Sequence, residues 1–145
     1  MIAIGSDHAG FDLKEKLKGQ LQEMKLEYKD HGTFSAESTD YPDFAHLVAE
    51  AVSTGQAEWG ILICGTGIGM SITANKHPGV RASNVESIDA ARLARAHNNA
   101  NILALGSRLT TWERAKEIVK IFLSTSFEGG RHTRRVEKIH TLTNL

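Results

Sequence analysis

ILICGTGIGMS, residues 61 to 71, joins an apolar run to a loop that holds three glycines within five residues. The run begins at Trp59 and is free of charged and strongly polar side chains up to Cys64. A strand with one face in water alternates apolar and polar residues, whereas a continuously apolar strand is covered on both faces. The stretch therefore predicts a buried strand of a parallel sheet, followed by a glycine turn into a short helix.

Outward from this strand, short apolar runs alternate with longer segments of helical spacing. The other predicted strands are IAIGS, LEYKDHG, GVRASNV and NILALG. The other predicted helices are DLKEKLKGQLQEMK, DFAHLVAEAVSTG, IDAARLARAHNN, TWERAKEIVKIFLSTS and the tail GGRHTRRVEKIHTL. Strands that each precede a helix predict an α/β fold with one parallel sheet and helices on both faces. No linker or repeat divides the chain, so we expect residues 1–145 to form a single domain.

The composition is that of an ordinary globular protein without a global electrostatic field. Of 145 residues, 41% are hydrophobic and 23% charged, and 17 basic residues balance 17 acidic ones. A net charge of zero attracts neither nucleic acid nor an anionic membrane, so we expect neither as a partner. The N-terminus lacks the basic and apolar regions of a signal peptide, and one cysteine cannot form an internal disulfide. We therefore expect a cytoplasmic protein.

Polar residues follow three of the predicted strands at the point where each strand ends. Asp7 and His8 follow the first strand, residues 64–69 follow the third, and residues 106–108 follow the fifth. Ligands of such folds bind outside the carboxyl ends of the strands, so we expect these residues to share one edge. His97 precedes the fifth strand, and it would reach that edge only from a helix end or from another subunit.

Cys64 permits three interpretations on its local sequence. It is a small buried hydrophobe, or the glycines after it form only a tight turn, or the loop is an anion site. In the third case the N–H groups of residues 65–69 favour a thiolate, or an oxyanion beside it. The glycine spacing matches neither G-x-G-x-x-G nor G-x-x-x-x-G-K-[ST], so nucleotide binding is a minor possibility. No H-x-x-x-H or C-x-x-C spacing occurs, and we expect no metal site.

The remaining ionisable candidates also have ordinary structural interpretations. Asp7 is placed as a helix N-cap would be, and His97 with Asn98 as the cap of a helix end. The tail carries a basic run of Arg131, His132, Arg134 and Arg135. Such runs usually face solvent, but arginines beside glycines at a helix start suit a phosphate, because a guanidinium holds two oxygens. Arg108 is a further candidate for the same role.

Five motifs along the chain together resemble the type B ribose-5-phosphate isomerase family: GSDHAGFDLKEKL, DYPDFA, GILICGTGIGMSITANK, ARLARAHNNANILALGSR and FEGGRHTRRVEKI. They follow the family's order from near residue 1 to about residue 139. The resemblance implies a three-layer, Rossmann-like α/β/α fold with a five-stranded parallel sheet and a C-terminal helix used in dimerisation. It also implies a sugar phosphate substrate and a homodimer or dimer of dimers, with active sites at the interface.

The resemblance implies catalytic roles without a metal or cofactor. Cys64 matches the general base that moves a proton between C1 and C2 of the substrate, which converts ribose 5-phosphate to ribulose 5-phosphate. Some members use a glutamate instead, but Met70 stands at that position here. His97 matches the residue that opens the sugar ring, and the Thr66 hydroxyl lies beside the oxyanion site. The amides of that site match Gly65, Gly67 and Gly69.

The resemblance also implies which residues contact the substrate. The positions that match contacts to the sugar are Asp7, His8, Tyr41 and Asn98. The positions that match contacts to the phosphate are Arg131 and Arg135, with His8, Arg108 and His132 as helpers. Asn84, after the fourth predicted strand, is given no role.

Two alternative functions stay open at this point. Isomerases of allose 6-phosphate or galactose 6-phosphate are related, but the galactose enzymes divide the catalytic residues between two different subunits. This chain carries both Cys64 and His97, which favours a self-sufficient pentose enzyme. A non-catalytic sugar-phosphate sensor on the same fold would have no need for a thiol beside an oxyanion site.

Overall fold

The computed structural model describes residues 1–145 and contains one parallel sheet of five strands between two layers of helices. The strands are β1 (Ile2–Ser6), β2 (Tyr28–Asp30), β3 (Trp59–Cys64), β4 (Ala82–Asn84) and β5 (Ile102–Gly106). The helices are α1 (Phe11–Glu23), α2 (Tyr41–Ser53), α3 (Ile68–Ala74), α4 (Ile88–Ala96), α5 (Trp112–Ser124) and α6 (Arg131–Thr143). The predicted fold class is confirmed, and the order of the strands is β2-β1-β3-β5-β4.

Strand β3 lies at the centre of the sheet and contributes to both cores. Its Ile61 and Ile63 belong to a core formed with α1, α4 and α5, whereas Leu62 and Cys64 belong to a core formed with α2 and α3. All four side chains are at least 95% buried. Burial on both faces explains why the strand is continuously apolar.

Helix α6 lies outside both cores. Only His132 and Val136 of this helix are buried, whereas Ile139 and Leu142 are 44% and 79% exposed. None of the helices combines the length and the apolar character needed to cross a membrane.

A buried lysine joins α1 to the end of β2. Lys14 is fully buried, and its Nζ donates to both carboxylate oxygens of Asp30 at 2.7 Å. Lys18 Nζ and the Gly32 amide donate to the same carboxylate at 2.8 and 2.9 Å. Burial alone raises the pKa of Asp30, but these donors outweigh it and hold the pKa below its ordinary value of 3.8. The pair therefore contributes stability above pH 3.8 that is lost as pH falls through the lowered pKa.

We predict that Lys14→Ala lowers the free energy of unfolding by about 3–5 kcal/mol, because it leaves the Asp30 carboxylate in a buried site without its main donor. Lys120→Ala removes an exposed lysine from α5 and serves as the matched control, with a change of less than about 0.5 kcal/mol. Urea denaturation at pH 7 measures both variants. Equal, small losses for the two variants would show that the buried pair does not stabilise the fold.

Candidate active site

The topology of the sheet creates a crevice between the carboxyl ends of β1 and β3. The chain leaves β1 toward β2 on one side, and it leaves β3 toward β4 on the other. Such a switch point is where open α/β sheets bind their ligands. A cavity of about 220 Å³ lies here. Its lining residues are Asp7, His8, Ala9, Tyr41, Cys64, Gly65, Thr66, Gly69 and Arg108.

The loop after β3 directs backbone donors toward the thiol. The Gly67 amide donates to Cys64 Sγ at 3.1 Å, and the Ile68 amide donates to Thr66 Oγ1 at 3.2 Å. Gly67 has a φ of +80°, which an L-residue with a side chain adopts only at a cost. An N–H aimed at sulfur stabilises negative charge there. Cys64 is thus buried, as a core cysteine would be, and also lines the cavity.

His8 is held in one orientation by the segment before α2. The Thr39 amide donates to His8 Nδ1 at 3.1 Å, and the His8 amide donates to Thr39 Oγ1 at 3.2 Å. Because Nδ1 accepts a hydrogen bond, the neutral ring carries its proton on Nε2. His8 therefore presents a hydrogen-bond donor to the cavity.

The cavity is also lined by Asp7, Tyr41 and Arg108. Asp7 is buried, and its Oδ1 accepts from the Gly10 amide at 3.1 Å, whereas the N-cap of α1 is Gly10 itself. The N-cap interpretation of Asp7 is therefore wrong, because the carboxylate closes the turn that precedes the helix. Arg108 is exposed and forms no ion pair with the rest of the chain, so its guanidinium is free for an anion.

A second cluster of predicted residues forms away from this cavity. The His97 and His132 rings stack with centroids 4.3 Å apart and an angle of 13° between their planes. Glu128 Oε2 lies 3.8 Å from His97 Nε2 and 3.5 Å from His132 Nε2. Arg131 and Arg135 are exposed on the same helix as His132. In this cluster His97 comes from the end of α4, Glu128 from the loop before α6, and His132 from the start of α6.

The Cys64 cavity and the His97 cluster lie at opposite ends of the strands. His97 is the C-cap of α4 and precedes β5, whereas Cys64 is in register with Gly106 at the far end of β5. A strand rises about 3.3 Å per residue, so the length of β5 alone separates them by roughly 13 Å. Asn98 lines another cavity, of about 360 Å³, beside Arg81 and His140. One chain therefore does not bring His97, Asn98, Arg131, His132 or Arg135 to the Cys64 cavity.

The His97, Glu128 and His132 side chains have the donor types of a metal site, with donor atoms within 4.8 Å of one another. Imidazole lone pairs lie in the ring plane, and the two planes are nearly parallel. The Glu128 oxygen lies at ion-pair distance from a nitrogen of each ring, 3.8 Å for His97 and 3.5 Å for His132.

Sequence reasoning did not predict Thr39 or Glu128. Thr39 meets His8 through backbone and side-chain contacts across 31 residues, and no local pattern signals such a pairing. Glu128 lies four residues before His132, a spacing that puts the two side chains near each other around a helix start. That spacing could have predicted the contact between Glu128 and His132.

Asn84 lies close to the loop after β3, since its Oδ1 is 2.5 Å from where a Cβ on Gly67 would stand.

Comparison with known proteins places the chain in one family. Residues 2–139 match the model of the Ribose/Galactose Isomerase family, and the chain belongs to that family. It is 51% identical over 138 residues to ribose-5-phosphate isomerase B of Escherichia coli, covering 95% of this chain and 93% of the relative. A structure of ribose-5-phosphate isomerase B from Clostridium thermocellum superposes with a TM-score of 0.97 at 49% identity, covering 99% and 97% of the two chains.

A further similar structure contains a bound ligand. It is ribose-5-phosphate isomerase B from Mycoplasma genitalium with bound ribulose 5-phosphate, with a TM-score of 0.96 and 45% identity. The match covers 99% of this chain and 95% of that chain.

Gly106→Ala tests how tightly β5 holds the glycine loop. A Cβ at this position would lie 2.6 Å from the Thr66 carbonyl carbon and oxygen, and backbone atoms cannot swing aside. We expect a loss of about 1–3 kcal/mol in the free energy of unfolding. Gly19→Ala is the control, because a Cβ there meets nothing within 4 Å and the residue lies inside α1.

The control should gain about 0.5–1 kcal/mol, since alanine is the better helix former. If the close approach is real, urea denaturation shows that the free energy of unfolding falls in Gly106→Ala and rises in Gly19→Ala. A Gly106→Ala protein as stable as wild type would contradict it.

Proposed function

We propose that this protein is an aldose–ketose isomerase that interconverts D-ribose 5-phosphate and D-ribulose 5-phosphate. The observation that carries the proposal is the Cys64 thiol, which lines a switch-point cavity and accepts the Gly67 amide. The family, the E. coli relative and the ligand-bound M. genitalium structure support the same activity. The relatives favour a pentose substrate over the six-carbon alternatives.

Cys64 acts as the general base in this proposal. Its thiolate takes the proton from C2 of the open-chain aldose, and the electron pair of that bond forms an enediolate with the charge on O1. The proton on O2 then passes to O1, which becomes a hydroxyl and leaves the charge on O2. The thiol returns its proton to C1, and O2 becomes the carbonyl oxygen of the ketose. A proton beside a carbonyl is acidic enough for this step only when the oxyanion is stabilised.

The loop after β3 supplies that stabilisation. The Gly67 amide donates to the thiol, and Gly65 and Gly69 line the same cavity, where their amides offer donors to the enediolate. Thr66 Oγ1 already accepts the Ile68 amide, so its hydroxyl hydrogen is free to donate to the oxyanion. The glycine amides are backbone groups of a tight turn and need no reorganisation when charge develops.

The other polar residues that line the Cys64 cavity orient the sugar. Asp7 uses one carboxylate oxygen for the Gly10 amide and keeps the other for a sugar hydroxyl. His8 donates through Nε2, and the Tyr41 hydroxyl adds a second donor. Arg108, free of ion pairs in the chain, lies where it can hold a phosphate oxygen.

We infer that a second copy of the chain completes each site. One chain holds His97 on the order of 13 Å or more from Cys64, too far for one substrate to reach both, and the α6 arginines begin the helix that carries His132, which stacks on His97. The exposed apolar side chains of α3 and α6 give two copies a surface on which to associate: Ile68, Ile72, Ile139 and Leu142. In the assembled site, His97 opens the sugar ring, Asn98 contacts the sugar, and Arg131, His132 and Arg135 hold the phosphate.

Paired variants test both the reaction and the shared site. We would coexpress a Cys64→Ala chain with a His97→Asn chain, each with its own affinity tag, and purify the mixed dimer through both tags. Ribose 5-phosphate turnover is then followed with a chelator present. If sites are shared, the mixed dimer has one intact site and about half of the wild-type activity, whereas Cys64→Ala alone is inactive and His97→Asn alone is slower by roughly 10- to 100-fold.

The matched control carries the same two substitutions in one chain and none in the other. Each shared site of that dimer lacks one catalytic group, so we expect turnover at least about tenfold below that of the first pair. Activity in the control and none in the first pair would contradict the shared site. Wild-type protein that does not turn over ribose 5-phosphate would contradict the proposed reaction, and allose 6-phosphate would be assayed next.

A further inference from the structure

We propose that Glu128 is a positioning residue for the His97 imidazole, and this inference rests on the proposed role of His97 in opening the sugar ring. Glu128 holds one nitrogen of the ring and leaves the other for the substrate. Its carboxylate does not touch the sugar. It acts on the orientation of His97 and on the positive charge that the ring carries during proton transfer.

The side-chain contacts define which nitrogen is held. Glu128 Oε2 lies 3.8 Å from His97 Nε2, while His97 Nδ1 has no hydrogen-bond acceptor or donor in the chain. Hydrogen bonds of catalytic groups are often long before the substrate binds, so this distance suits a contact that tightens in the complex. With Nε2 facing Glu128, we assign the contact with the sugar to His97 Nδ1.

The backbone keeps Glu128 beside the end of α4. The Glu128 amide donates to the Ala96 carbonyl at 3.0 Å, one residue before His97. Arg95 reinforces the connection, because its Nε donates to the Thr125 carbonyl at 3.3 Å and its Nη1 to the Ala100 carbonyl at 2.6 Å. Arg95 is itself buried and stacks over Trp59 at 4.2 Å, so the carboxylate sits on a fixed support.

Ring opening requires this kind of support. In the furanose form of ribose 5-phosphate, the C1 hydroxyl loses a proton, the bond from C1 to the ring oxygen breaks, and that oxygen gains a proton. An imidazole that takes the first proton and delivers the second returns to its starting state. In between it is an imidazolium, and a carboxylate on its other nitrogen stabilises that charge and fixes the tautomer, as in an Asp–His pair.

His132 shares the Glu128 carboxylate with His97. Its ring stacks on His97 at 4.3 Å, and its Nε2 lies 3.5 Å from the same Glu128 oxygen. Two stacked imidazolium rings repel each other, and one carboxylate offsets only one of them. Arg131 and Arg135, exposed on the same helix, add positive charge nearby. Without Glu128, this environment would disfavour the imidazolium that ring opening needs.

The test separates ring opening from proton transfer at carbon. Ribulose 5-phosphate stays open-chain because its C5 oxygen is esterified, so exchange of its C1 hydrogen with D2O needs the Cys64 half of the site but no ring opening. Glu128→Gln should lower turnover of ribose 5-phosphate by roughly 10- to 100-fold. The same variant should keep C1 exchange, followed by NMR, within about twofold of wild type.

Three further variants make the result specific. Glu137→Gln removes an exposed carboxylate from α6 and should change neither rate. His97→Asn should show the same split as Glu128→Gln. In the His97→Asn background, adding Glu128→Gln should have an effect of less than about twofold, because the carboxylate acts through that ring.

Three results would overturn the inference while leaving the proposed function intact. These are unchanged ribose 5-phosphate turnover in Glu128→Gln, an equal fall in turnover and exchange, and full additivity with His97→Asn. The second would assign Glu128 a general structural role. Wild-type protein that shows neither turnover nor exchange would instead refute the proposed function itself.

Discussion

The chemistry at the carboxyl edge of the sheet depends on how closely the loop after β3 approaches the end of β5. A Cβ on Gly106 would meet the Thr66 backbone at 2.6 Å, and a Cβ on Gly67 would meet Asn84 and Leu105 at 2.5 to 3.1 Å. The loop is therefore pressed between β4, β5 and its own strand. This confinement aims the Gly67 amide at Cys64 Sγ, and a looser turn would let that donor rotate toward water.

The order of the strands imposes a second constraint. It places β1 and β3 side by side, so that Asp7, His8 and Cys64 share one cavity. The end of α4 lies at the amino ends of the strands because it precedes β5 in the chain, and there His97 meets Glu128 and His132. On the proposed assembly, each copy gives its base to one site and its ring-opening acid to another.

The sequence predicted the sheet well, because each strand carries its own local signal. Residues 59–64 are apolar throughout, and the structure buries them on both faces. It predicted Cys64, Thr66 and Arg108 at one edge through the rule that parallel strands end together. The order of the strands was not predictable, since it depends on contacts among elements rather than on any one segment.

Contacts between distant segments were equally hidden. Lys14 has the same residue type as its exposed neighbour Lys16, and only the approach of Asp30 from β2 explains why it is buried. Thr39 holds His8 from 31 residues away, and Glu128 reaches His97 across a similar separation. In each case the residue type is ordinary, and the tertiary fold gives it a role.

The most direct test of Cys64 as the base is its alkylation, because the chain has no other cysteine and mass spectrometry then reports one site. We predict that one carbamidomethyl group abolishes isomerase activity, and that ribose 5-phosphate slows the labelling. Ribose without its phosphate should protect far less, since the arginines add nothing to its binding. A fully alkylated protein that still turns over ribose 5-phosphate would contradict the assignment of Cys64 as the base.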